Sequence, residues 1–150
     1  MRAINGKRSI SAVSAEYFNM KFKKVILVLT EDTDQMIITQ VVKLCKKFKS
    51  KLFVLFVIEA NRASRLARLT HQKTDILDQE IEESGWKLLY LVEDEAVESD
   101  VWTSLHLENG NLMDVLKKYI EAYDINTVLT KRKDETKEIF VSSPVPVIGL

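Results

Sequence analysis

Glu31, Asp32 and Asp34 on one side, and Lys131, Arg132 and Lys133 on the other, are the residues of this chain best placed to do chemistry together. Each charged group lies just beyond a run of β-branched and aliphatic residues, Val25–Thr30 and Thr127–Thr130. If both runs are strands of one sheet, the charges meet in a crevice at their ends. Three bases at the start of a helix beginning near Asp134 would suit an anion, because free backbone amides and the helix dipole both favour negative charge there. The competing reading is that the bases neutralise the acids across the crevice. It is preferred, because Asp134 and Glu135 already occupy the helix start.

Other chemically capable residues are scattered. Arg62, Arg65 and Arg68 recur every three residues and would share a helical face toward a phosphate or an acidic partner, or simply remain solvated. Glu93, Asp94 and Glu95, with Glu98 and Asp100, lack the loop spacing of a calcium site and read as a solvated helix end. His71 and His106 fall on different elements with no paired carboxylate motif, and no catalytic residue is assigned. Cys45 lies on an apolar stripe and reads as a small core residue. Ser142 and Ser143 precede Pro144 without a nucleophile-elbow pattern.

Composition narrows the classes further. The 150 residues carry 22 Lys+Arg against 22 Asp+Glu, which removes the electrostatic case for a nucleic-acid or polybasic membrane binder. One cysteine cannot form an internal disulfide, no Cys/His cluster has zinc spacing, and no metal or other cofactor is expected. No apolar run reaches the roughly 20 residues of a membrane helix. The four glycines, Gly6, Gly85, Gly110 and Gly149, leave no place for a Gly-rich phosphate loop. The expectation is a cytoplasmic single domain. Residues 1–19 lack a sustained apolar period and read as a flexible, non-native extension, with Met20 as the native start and the domain over 20–150.

The elements alternate. Val25–Thr30 and Leu52–Ile58 read as strands buried on both faces. Between them Ile37, Ile38, Val41, Val42, Cys45 and Phe48 mark a helix whose outer face carries Lys43, Lys46 and Lys47, with Asp32 or Thr33 as its cap. After a polar stretch over 59–70, a long helix runs from about His71 to Val92 on the stripe Leu77, Ile81, Gly85, Leu88 and Val92. Gly85 there would let the helix approach the sheet, at about 1 kcal/mol in helix propensity. Val101–Leu107 is a third strand, Gly110 a turn, and Asn111 the cap of a helix through Tyr123. Thr127–Thr130 is a fourth strand and Asp134–Val141 a short helix. Val145–Leu150 is the last strand, placed at an edge or a bulge because Pro146 inside it cannot donate to a ladder. Strands alternating with helices imply an α/β fold with helices on both faces of a parallel sheet, and a crevice beyond the carboxyl ends of the strands.

On these segments the chain resembles the universal stress protein family across nearly all of 20–150. Val25–Thr33 is similar to the family's first strand and its acidic turn, and Leu52–Glu59 to its second strand. Glu108–Leu112 is similar to the entry into its third helix, and Ser143–Gly149 to its closing Pro-x-Pro-Val strand. The resemblance implies a three-layer, doubly wound sheet of order 3-2-1-4-5. It also implies a homodimer through the last strand, here Val145, Pro146, Val147 and Ile148. Nucleotide-binding members carry a glycine loop after the fourth strand; here Lys131–Glu135 follows without glycine. Wrapping amides round a polyphosphate needs the positive φ and close approach that Gly supplies cheaply. The expected function is therefore a non-ATP-binding, homodimeric stress-response or regulatory module rather than an enzyme, with an unidentified protein as a further candidate partner. The alternative is a nucleotide (AMP/ATP) or anion binder using Glu31, Asp32, Thr33, Val57, Thr130, Lys131, Arg132 and Lys133.

Overall fold

The structure, a computed structural model, describes residues 22–59, 62–71 and 73–150, with the side chains of 62–64 and 74 also outside the description. The expected extension over 1–19 lies outside the described residues. The elements in chain order are β1 (Lys24–Val28), α1 (Gln35–Phe48), β2 (Lys51–Glu59), α2 (Arg62–Thr70), α3 (Thr74–Glu98) and β3 (Thr103–Gly110). They continue with α4 (Leu112–Tyr123), β4 (Thr127–Thr130), a 3-10 turn (Asp134–Thr136), α5 (Lys137–Ser142) and β5 (Val147–Gly149). All strand pairs are parallel and the order is β3-β2-β1-β4-β5, as the resemblance implies.

Period-two alternation sorts the two cores. Val25, Leu27, Leu52, Val54 and Phe56 face α1 and α3, while Ile26, Val28, Phe53 and Leu55 face α4 and Ile139 of α5. β1 is central, paired with β2 on one edge and β4 on the other. Covered on both faces and both edges, it has to be apolar throughout.

Several boundaries differ from the sequence reading, each for a local reason. α1 is capped by Asp34, whose Oδ1 accepts from Ile37 N at 3.0 Å, rather than by Asp32 or Thr33. Thr33 is instead spent on the turn, where its hydroxyl accepts from Thr30 N at 2.9 Å. The polar stretch over 59–70 is the end of β2 followed by a helix, α2. α3 extends to Glu98, and its buried stripe shifts from Leu88 to Leu89 and then runs through Val92 to Ala96. Gly110 is the last residue of β3, opposite Glu59, with φ of 148°, a conformation that favours Gly. Pro146 precedes β5 rather than interrupting it, and its carbonyl accepts from Val128 N at 2.9 Å.

Gly85 sits where α3 meets the sheet. A Cβ there would come within 2.8 Å of Phe56 Cδ1 and 2.9 Å of Leu107 Cδ1. Overpacking of this kind costs about 1–3 kcal/mol, against a propensity gain of about 1 kcal/mol for Ala in the helix. Gly85→Ala should therefore lower unfolding free energy by about 1 kcal/mol, and Gly85→Val by more, read from urea midpoints.

Candidate functional site

The carboxyl ends of β1 and β2 open into a cleft of about 530 Å³. It lies at the central strand, where the sheet order reverses, the place at which parallel α/β sheets hold ligands. Val28, Leu29, Phe56 and Val57 line its strand side, Leu66 and Leu69 of α2 and Leu112 of α4 add apolar wall, and Glu31, Glu59, Arg65 and Glu135 bring charge. Leu69 lines the cleft yet is 77% exposed. Glu31, Glu59 and Glu135 stand with Arg65 in the lining, and Glu135 also lies 3.6 Å from Lys133.

Local hydrogen bonding shapes this end of the sheet. Thr33 N donates to Thr30 O at 3.0 Å and Thr30 Oγ1 to Asp32 Oδ1 at 2.8 Å, so the turn after β1 is locked and its acid is aimed across the crevice. There Lys133 Nζ meets Asp32 Oδ1 at 2.8 Å, and Lys131 Nζ lies 3.6 Å from Oδ2 and 3.2 Å from the Asp32 carbonyl oxygen. Lys133 also lies 3.6 Å from Glu135. The bond from Lys133, aided by that from Thr30, holds the Asp32 carboxyl down at about 2, and the same bond raises Lys133.

The loop after β4 closes on itself. Lys133 N donates to Thr136 Oγ1 at 3.1 Å, Thr136 N donates to Lys133 O at 3.2 Å, and the buried Thr136 hydroxyl donates to Lys131 O at 2.7 Å. Arg132 turns away, its guanidinium 5.2 Å from the centre of the Phe140 ring.

Of the residues expected in the crevice, Glu31 and Val57 line the cleft. Asp32, Lys131 and Lys133 form an ion-paired clasp beside it. Thr33 and Thr130 are buried in structural roles, Thr130 donating to Val28 O at 3.3 Å. Sequence reasoning missed Phe56, Glu59, Leu66, Leu69, Leu112 and Thr136, and named Arg65 and Glu135 without assigning them to the cleft. The signal for α2 was present, since the three-residue arginine spacing and the pair Leu66/Leu69 share one helical period. Arg65 lines the cleft; the Arg62 side chain lies outside the described residues.

Away from the cleft, Cys45 is buried and its thiol is pushed up to about 12 by desolvation, which makes it inert. His106 packs among Phe53, Tyr119 and Tyr123, with Nε2 2.8 Å from Ser104 Oγ, and burial holds its imidazole below the usual value. Beside it the Tyr119 hydroxyl donates to Glu108, which lowers the acid, while burial and that bond raise the phenol. Glu95, read as part of a solvated helix end, accepts from Gln35 and Thr39 of α1. Among the described residues no group of three or more His, Cys, Asp or Glu is placed to hold a metal, and no helix is long and apolar enough to cross a membrane.

Neither a protein-family model nor a curated protein sequence matches this chain. Solved structures do. A universal stress protein family member from Burkholderia pseudomallei superposes with a TM-score of 0.69 at 12% identity, over 87% of this chain and 96% of the other. The universal stress protein from Archaeoglobus fulgidus in complex with dAMP gives 0.60 at 11% identity, over 85% and 97%. A universal stress protein family protein from Arabidopsis thaliana with AMP bound gives 0.56 at 15% identity, over 85% and 90%. At these identities the likeness establishes a shared fold.

The Asp32 clasp has a defined pH signature. Its carboxyl is lowered from 3.8 to about 2 in the folded chain, so its contribution is complete above the unfolded value and is lost as pH falls through the folded one. Asp32 is half exposed, so solvent screening limits the pair to below about 1 kcal/mol. Asp32→Asn should cost that much at pH 7, and the difference from wild type should vanish toward pH 2, measured by urea unfolding at both ends.

Proposed function

The chain has the universal stress protein fold, and we propose that it works as a cytoplasmic, homodimeric binding or regulatory module rather than an enzyme, without polyphosphate recognition. The observation that carries this reading is the closed loop after β4. The amides of Lys133 and Thr136 are spent within it, and Lys131 and Lys133 are committed to Asp32. A triphosphate would have to displace the clasp, open the loop and face Glu135 at the cleft wall. The residues there hold each other rather than an anion.

The second reading is binding of a nucleotide or another anion in the crevice. It is favoured by the cleft at the sheet's reversal point, lined by Val57 and Glu31, and by similar folds solved with dAMP and AMP bound. Calorimetric titration separates the two. ATP at millimolar concentration, with and without magnesium, should give no binding heat; micromolar binding would transfer the assignment to the second reading.

The homodimer is argued from β5. Val147–Gly149 is an edge strand with no charged residue, and Val145 and Val147 pack on its own core, so the free backbone edge is what remains to be paired. Sedimentation at micromolar concentration should show a dimer; a monomer would remove this part of the proposal.

A further inference from the structure

α3 presents apolar side chains on two sides. Leu77, Ile81, Leu89, Val92 and Ala96 are buried against the sheet and α1. On the opposite side Ile76, Tyr90 and Val97 stand 47%, 53% and 70% exposed. Together with Gln79, Glu83, Trp86 and Glu93 they recur at alternating intervals of three and four, the spacing of a helix–helix seam in which Ile76, Trp86, Tyr90 and Val97 are the apolar positions. At its centre Trp86 and Tyr90 stack, ring centroids 5.6 Å apart and planes 28° apart, and they line a shallow groove with Gln79, Glu82, Glu83 and Lys87. A stack in which Trp86 rests partly on the core and Tyr90 is half exposed is a costly arrangement unless something covers it.

Charge says what would cover them. Over its 25 residues α3 carries nine carboxylates and one base, Lys87, although the whole chain is neutral. By helical periodicity Glu83 and Glu93 lie within the outer stripe, Glu82 flanks it on one side, and Glu80 and Asp94 on the other. A second copy laid on the same stripe would set carboxylate against carboxylate, and an anionic membrane surface would be repelled.

We propose that the outer face of α3 docks a basic amphipathic helix of a partner protein. Its apolar stripe lies over Trp86 and Tyr90, and its lysines and arginines meet the flanking carboxylates. From Ile76 to Val97 the surface is roughly 31 Å long, room for about 20 helical residues.

The test uses a synthetic Leu/Lys amphipathic helix of about 18 residues, titrated calorimetrically into the full chain, with a Leu/Glu peptide of the same pattern as control. Trp86 is partly packed on the core, so the variant is Tyr90→Ser with Glu83→Lys, its fold checked by circular dichroism. The Leu/Lys peptide should bind at micromolar concentration and weaken as salt rises, the variant should lose about tenfold or more, and the Leu/Glu peptide should not bind. The proposal is overturned by no binding, by equal binding to the variant, or by the variant dissolving a dimer in sedimentation, which would give the stripe to a second copy.

Discussion

β1 is covered on both faces and both edges, and the rest of the molecule is arranged around that fact. A strand so enclosed must be apolar, so polar chemistry is driven to its carboxyl end. There the chain has to satisfy its own backbone before it can reach α1. Thr30 and Thr33 close the turn, Asp34 caps the helix, and Asp32 is left facing the loop that follows β4. The pairing of β1 with β4 brings Lys131 and Lys133 to that acid.

The clasp and the cleft are two outcomes of one junction. On the β4 side of β1 the charges cancel and the loop is knitted by Thr136, which consumes donors that an anion would require. On the β2 side the strand ends stay open, and α2 supplies a second wall. The resulting space is apolar at its floor, with Glu31, Glu59, Arg65 and Glu135 around it. Gly85 bears on the same place from behind, because the close approach of α3 it permits is made against Phe56, a cleft residue.

α3 extends the reasoning to the surface. A helix that only covered a sheet would need one apolar stripe and a polar back, as α1 has with its buried stripe and exposed lysines. α3 has an inner stripe and an outer one, and carboxylates stand within and beside the outer stripe. Much of the chain's acidic charge is gathered there, so overall neutrality hides a strongly polarised surface.

Periodicity in the sequence determined the order of elements apart from α2, the parallel sheet, the doubly buried β1 and β2, the cap at Asn111 and the close approach at Gly85. These are local or near-local properties, since burial on both faces writes a continuous apolar run and a helix end needs a capping side chain. The absence of glycine after β4 was equally legible. Tertiary structure decided which acid pairs with which base. Asp32, Asp34 and Glu31 are equivalent as neighbours in sequence, and only the turn geometry points one at Lys133, one at its own helix and one at the cleft. It also decided the cleft lining. Phe56, Arg65, Leu66, Leu112 and Thr136 come from segments far apart in the chain, and their meeting depends on strand register and on how α2 packs.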